Sequence, residues 1–259
     1  MSGISIEVSG LTKKFGAFVA VNSVSFQVAR GEIFGFLGAN GAGKSTTIRM
    51  LCGLLKPTAG EAIVGGFSVR TQAEKVKEHI GYMSQKFSLY DDLTVVENIR
   101  FFGGIYGLGR SRIRTRLPWI LEMAELRGRE HSLTRELAGG WKQRLALGCA
   151  LIHEPEIVFL DEPTGGVDPV SRRRFWDLIY DLSVRGVTVF VTTHYLDEAE
   201  YCHRIMLMHA GEIVAGGSPR ELKDTYGQTT LEDVFIHLIE KGPGTSGGQK
   251  ARAEAGDDL

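Results

Sequence analysis

The sequence predicts an α/β fold on three observations. Apolar runs at 33–37, 157–160 and 187–192 are short, free of charged residues and rich in Val, Ile, Leu and Phe, the pattern of parallel strands buried on both faces. The chain before them alternates apolar and polar residues, as half-buried strands do. Between the first and second runs lies a long block with helical spacing.

At the amino-terminal end Ile4, Ile6 and Val8 alternate, followed by Val19, Val21, Val24, Phe26 and Val28, with turn residues at Gly10, Gly16 and Arg30-Gly31. This predicts an antiparallel sheet. The run 33–37 breaks into a glycine-rich stretch and then a helix through Ile48, Met50 and Leu51. From Lys44 to Asp161 the interval is several times the roughly 30 residues that a strand-helix-strand unit needs, so a module is inserted, expected at about 87–154. Its helices read as TVVENIRFFGGIY, SRIRTRLPWILEMAEL and GWKQRLALGCALI, with Pro118 at a helix start or kink. After His194 come a short helix, two strand-like runs, IMLMHA and EIVAGG, and helices at 219–226 and 231–239. One folded unit over 1–240 is expected, with a polar, Gly- and Ala-rich tail at 241–259 that is too poor in apolar residues to fold.

The formal net charge is -1, from 30 basic and 31 acidic residues, so no global charge draws the chain to nucleic acid or a membrane surface. No run approaches the roughly 18 apolar residues of a membrane span, and the first ten lack the pattern of a secretory leader. A cytoplasmic chain is expected. Cys52, Cys149 and Cys202 are odd in number and sit among apolar neighbours, as buried thiols do. Arg110, Arg112, Arg114 and Arg116 fan around a helix axis as a solvated face. Phe101, Phe102 and Tyr106 read as core, and His79, His131, His153, His203, His209 and His237 as structural.

The chemistry begins at Gly38-Ala39-Asn40-Gly41-Ala42-Gly43-Lys44-Ser45-Thr46, which fits GxxxxGK[ST] between a buried strand and a helix. Glycines let successive N–H groups turn inward as a nest for phosphate oxygens, and the helix amino end adds a favourable partial charge. Lys44 is placed to reach the β- and γ-phosphates of ATP, and Ser45 to bind Mg²⁺. Asp161 and Glu162 close an apolar strand, where uncompensated charge is costly. Asp161 is read as holding Mg²⁺ through water, and Glu162 as orienting or deprotonating the attacking water. His194 is expected at a strand end on the same edge, donating to the γ-phosphate.

In this order the residues resemble the ATP-binding cassette (ABC) ATPases of ABC transporters, over roughly 4–239. Phe15 matches the aromatic that stacks on adenine, 38–46 the Walker A loop, Gln85 the Q-loop glutamine and metal neighbour, and Leu137-Ala138-Gly139-Gly140-Trp141 the signature. IVFLDE matches Walker B, Gly166-Val167-Asp168 the D-loop and His194 the switch histidine. The resemblance implies a P-loop NTPase fold: a mixed RecA-like core sheet with an antiparallel β subdomain and an inserted α-helical subdomain. It implies ATP and Mg²⁺ as ligands, and a second cassette, identical or not, facing this one head to tail. Each ATP is then held between one Walker A loop and the partner's signature.

The runs GWKQRLALGCALIHEPEIVFLDEPTGGVDP, THYLDEAEYCHRI and TLEDVFIHLI look most like exporter cassettes, such as drug exporters, that serve separate six-helix permease subunits. That likeness puts the chain peripherally at the cytoplasmic face of the membrane, with 86–92 and the helix after Leu93 facing the permease. The signature departs from the common Leu-Ser-Gly-Gly-Gln form: Ala138 replaces serine and Trp141 replaces glutamine. A hydrogen bond to a charged group contributes about 1.5 to 3 kcal/mol, so hydrolysis is expected to survive, with either weaker nucleotide-driven pairing or a partner that supplies a better signature. The rival reading is a soluble cassette ATPase acting on nucleic acid or ribosomes, which would bring tandem cassettes, a coiled coil or zinc-binding cysteines. A P-loop kinase would leave LAGGW and His194 unexplained.

Overall fold

In the computed structural model, residues 3–86 and 88–241 are described. The tail expected at 241–259 therefore lies outside the described residues from 242 on, as does Phe87 at the start of the expected insert. Strands β1 (Ile4–Phe15) and β2 (Phe18–Ala29) form an antiparallel hairpin, with Phe15 paired to Phe18 at its tip. Gly10 lies inside β1, where the register shifts, rather than at a turn between strands. Two strands that the alternation does not reveal complete this sheet, at Ala59–Val64 and Phe67–Ser68.

In chain order the remaining strands are β3 (Ile33–Leu37), β4 (Ala59–Val64), β5 (Phe67–Ser68), β6 (Ile80–Met83), β7 (Ile157–Asp161), β8 (Thr188–Thr193), β9 (Arg204–His209) and β10 (Glu212–Gly217). The antiparallel sheet has the order β2-β1-β4-β5, and the six-stranded core sheet the order β10-β9-β3-β8-β7-β6. All neighbours in the core sheet are parallel except β10 against β9, so the sheet is mixed. The edge strand β6 was also unforeseen; its four residues are too few to show a period.

The apolar runs are explained by burial on two faces. Phe34, Phe36, Phe159 and Phe190 project to one side, with Phe26 from the antiparallel sheet, and their ring centroids lie 5.4 to 5.6 Å apart in successive pairs. Ile33, Leu37, Val158, Leu160, Val189 and Val191 project to the other side, among helices. Truncating a fully buried ring such as Phe159 to Ala would cost about 3 to 5 kcal/mol.

The helices are α1 (Lys44–Leu51), α2 (Ala73–His79), α3 (Val95–Ile105), α4 (Arg110–Met123), α5 (Gly139–Ala150), α6 (Pro169–Val184), α7 (Pro219–Tyr226) and α8 (Leu231–Lys241). Helix α3 starts on a reciprocal Thr94 and Glu97 capping box, α7 on Ser218 and Glu221, and α6 on Asp168 ahead of Pro169. Between β6 and β7 the regular elements are helical: α3, α4, a short 3-10 turn Thr134–Glu136, and α5.

Several expectations are revised here. Pro118 lies inside α4, well past its start. Phe101 is exposed, stacked edge-on against Tyr90, while Phe102 and Tyr106 do pack on the core. Arg112 and Arg116, four apart on one face of α4, both pair with Glu154 at 3.1 and 3.0 Å. The three cysteines, by contrast, are buried as expected, and burial pushes each thiol's pKa up.

Candidate active site

Strand register assembles the site. Leu37 pairs with Thr193, Thr192 with Asp161, and Leu160 with Met83. Four parallel strands therefore end together, and the residues that follow them, Gly38, His194, Glu162 and the stretch holding Gln85, leave the sheet along one edge.

The loop after β3 is pressed against its own scaffold. A Cβ at Gly38 would sit 2.2 Å from the carbonyl oxygen of Met208, and one at Gly43, where φ is 109°, 2.5 Å from that of Ala20. Among the described residues, the N–H groups of Asn40, Gly41, Gly43, Lys44, Ser45 and Thr46 meet no acceptor, although Ala42 N–H donates to Ala39 O. These free donors at the start of α1 form an anion cradle.

Lys44 is 3% exposed, and its Nζ donates to the carbonyls of Gly38 at 2.8 Å and Ala39 at 3.2 Å. The same ammonium lies 3.2 Å from Oε1 of Glu162, itself 8% exposed. Oε2 of Glu162 accepts from the amide of Gln85 at 2.9 Å and lies 3.1 Å from Nδ1 of His194. Asp161 faces elsewhere: its Oδ1 accepts from Ser45 Oγ at 3.1 Å and from Thr192 Oγ1 at 2.7 Å. Ser45 and Asp161 thus bring two hard oxygen donors together, the donor set Mg²⁺ takes alongside substrate phosphates.

Glu162 has φ 49°, a left-handed backbone uncommon outside glycine and costing on the order of 1 kcal/mol. Its N–H donates to both the carbonyl and the hydroxyl of Thr192, at 3.0 Å each, and its carbonyl accepts from Gly165 N–H at 3.3 Å. Thr192 therefore seats both carboxylates at once. The sequence signal for it was the polar end, Thr192-Thr193, of an otherwise apolar strand.

The other expected residues lie apart from this cluster. Phe15 is half exposed at the β1–β2 tip, with Lys13 Nζ 5.1 Å from its ring centroid. No hydrogen bond or ion pair among the described residues joins residues 137–141 to the Lys44 and Glu162 cluster. Ala138 is the N-cap of α5 and offers no side-chain acceptor, and the N–H groups of Gly139 and Gly140 meet none. Gly140 instead packs on Ser171 of α6. Asp168, expected to bind nucleotide, spends its carboxylate accepting from the N–H groups of Val170 and Ser171 at 3.1 and 2.9 Å, and these bonds hold its pKa below the usual range. Asp168-Pro169 is itself a helix-start signal. Trp141 is packed on the core with the Arg129 guanidinium 3.8 Å from its ring centroid, a partner invisible in sequence.

Residues 21–165, more than half of the chain, match the family described as ABC transporter. The chain is 52% identical over 239 residues to the probable multidrug ABC transporter ATP-binding protein YbhF of Escherichia coli (strain K12). That match takes in 90% of this chain but 41% of YbhF, so the chain spans only that share of its relative. It is 39% identical over 236 residues to the Nod factor export ATP-binding protein I of Rhizobium sp. (strain N33), covering 91% of this chain and 78% of that one. Among solved structures, the dimeric post-hydrolysis state of the ATP-binding cassette MJ0796 bound to ADP and Pi has a TM-score of 0.74 at 29% identity, over 82% of this chain and 98% of that one.

Proposed function

The chain belongs to the ABC transporter family as an ATP-binding ATPase subunit, and from that premise we propose that it powers an exporter by closing with ATP against a second cassette. The observation that carries the reading is the buried Lys44 and Glu162 ion pair set in a cradle of unpartnered N–H groups. ATP phosphates would compete with Glu162 for the ammonium. Breaking the pair frees the carboxylate at the moment a γ-phosphate arrives.

Glu162 then takes the proton of, or orients, the attacking water, held in place by the Gln85 amide. His194, on the same carboxylate, donates to the γ-phosphate. Ser45 and Asp161, together with the Gln85 side chain, would hold Mg²⁺, and the ion would supply neutralisation of the phosphate charge. Phe15 stacks on the adenine, and residues 38–46 with Lys44 cradle the phosphates. Ala138, Gly139, Gly140 and Asp168 serve the ATP of the facing cassette, a role supported by the free N–H groups of Gly139 and Gly140, which meet no acceptor among the described residues.

Permease subunits, six helices each, would provide the membrane path, with this chain peripheral on the cytoplasmic side and 87–154 as the helical subdomain. No helix among the described residues is long and apolar enough to cross a membrane. Support for a cargo of drugs or other amphipathic compounds comes from the names of the relatives, multidrug and Nod factor export proteins. Balanced charge favours no nucleic-acid partner.

The test is Glu162→Gln. Retained ATP binding with turnover slowed by about a hundredfold or more is expected, and turnover at the parent rate would refute the assignment.

A further inference from the structure

Beyond the residues that face nucleotide, the strangest side chain in the molecule is Glu198. It is a carboxylate with no solvent exposure, at the start of a 3-10 turn Glu198–Tyr201, and no step of the proposed hydrolysis uses it. Burying a carboxylate is costly unless its lone pairs are satisfied. Here the hydroxyl of Thr164 donates to Oε1, that of Thr193 donates to Oε2 at 2.8 Å, and Arg172 Nε lies 3.4 Å from Oε1 as an ion pair. Burial raises its pKa, while the two hydroxyls and then Arg172 oppose the rise.

The three partners come from three separate segments. Thr164 is two residues past Glu162, Thr193 immediately precedes His194, and Arg172 donates its backbone N–H to the carbonyl of Asp168 at 2.9 Å. Arg172 is fixed further by stacking over Tyr195, 4.5 Å from the ring centroid, and Tyr195 N–H donates back to Thr193 Oγ1 at 2.9 Å. One buried carboxylate thus ties together the Glu162 turn, the His194 turn and the start of α6.

Glu162 needs such a support. Its left-handed backbone persists only where the surroundings over-determine it, and the turn it opens runs directly through Thr164. Thr192 holds one side of that turn and the Thr164–Glu198 bond holds the other.

We propose that Glu198 is the positioning residue that keeps Glu162 and His194 in hydrolytic register and links that register to α6 and Asp168. The inference rests on the ATPase reading of Glu162. Glu198 touches no substrate; it acts through Thr164, Thr193 and Arg172. The link to α6 matters because the amino end of α6 also packs on Gly140, so movement at the half-site of α5 reaches the Glu162 turn through Arg172.

The test measures ATP affinity and steady-state turnover for Glu198→Gln, Thr164→Val and Glu162→Gln in parallel with the parent chain. Glu198→Gln keeps the shape but loses the charge, and Thr164→Val removes one hydroxyl and leaves the carboxylate, so the second variant answers where the first fails to fold. Both are expected to lower kcat by about tenfold or more while KM and ATP affinity stay within about threefold, the signature of lost transition-state positioning. A parental kcat in Thr164→Val or in a folded Glu198→Gln, with Glu162→Gln inactive, overturns the positioning role alone. So does a parallel fall in kcat, ATP affinity and melting temperature, which marks a purely structural carboxylate. Parental turnover in Glu162→Gln overturns the reading of the site and this inference with it.

Discussion

Helices α1 and α5 both begin on glycine-bearing, uncapped turns, yet their amino ends are built in opposite ways. At α1 the loop is clamped by its own chain: Gly38 and Gly43 have no room for a Cβ, and Lys44 is buried against Glu162 and two carbonyls. At α5 a Cβ on Gly139 would meet nothing within 4 Å, although one on Gly140 would crowd Ser171, and the side chain of the N-cap Ala138 makes no hydrogen bond. Helices α2 and α4 also lack a capping side chain, so a bare amino end alone does not make a site. What distinguishes α1 is the converging charge of Lys44, Asp161 and Glu162. The contrast is the one the proposed function requires, with α1 as a complete phosphate site and α5 as one wall of a site finished by another molecule.

The largest effect is expected at Lys44. Lys44→Ala should lower ATP affinity by about a hundredfold or more, since charge-assisted bonds to the phosphates disappear. The variant also leaves Glu162 buried without its cation, so its nucleotide-free melting temperature should fall, and adding Glu162→Gln should restore part of it. Isothermal titration and thermal melts check both. Unchanged affinity would remove α1 as the complete site.

The two glycine sites sharpen the comparison further. Gly38→Ala should cost about 3 kcal/mol or more in urea unfolding, because its Cβ meets backbone 2.2 Å away. Gly139→Ala should stay within about 0.5 kcal/mol of the parent, because it enters open space. Equal losses would mean that the α5 end is packed like the α1 end.

The smallest effect is expected from Ala138→Ser. A serine N-cap can accept from the N–H of Gly140 and add about 1 kcal/mol of stability without nucleotide. In the Glu162→Gln background it should also raise the ATP-dependent dimer fraction measured by light scattering at matched concentration, since a hydroxyl facing the partner's ATP gains a charged acceptor. An unchanged dimer fraction would show that Trp141, held under Arg129, sets the geometry of closure instead.

Much of this arrangement is legible in the chain because its causes are local. The strand, loop and helix around Lys44 follow from an apolar run, a glycine spacing and a helical period. The carboxylates of Asp161 and Glu162 announce themselves by ending a run that tolerates no other charge. Where signals are short or two-sided the sequence misleads: the strands at 59–64, 67–68 and 80–83 carry no clear period, and Phe101 has core spacing but is exposed. Asp168 carried both a nucleotide reading and a capping signal, and its observed bonds are those of a cap.

By itself the sequence determined the fold class, the phosphate cradle and which residue types could act there, because periodicity, glycine freedom and charge at a strand end are properties of neighbours along the chain. Only the tertiary structure decided that Lys44 spends its charge on Glu162, that Thr192 seats both carboxylates, that Arg129 covers Trp141 and that Glu198 joins three turns. Those partners lie far apart in sequence and meet through parallel register and helix packing, and the cost of leaving a buried charge unpaired selects among them only once the strands are in place.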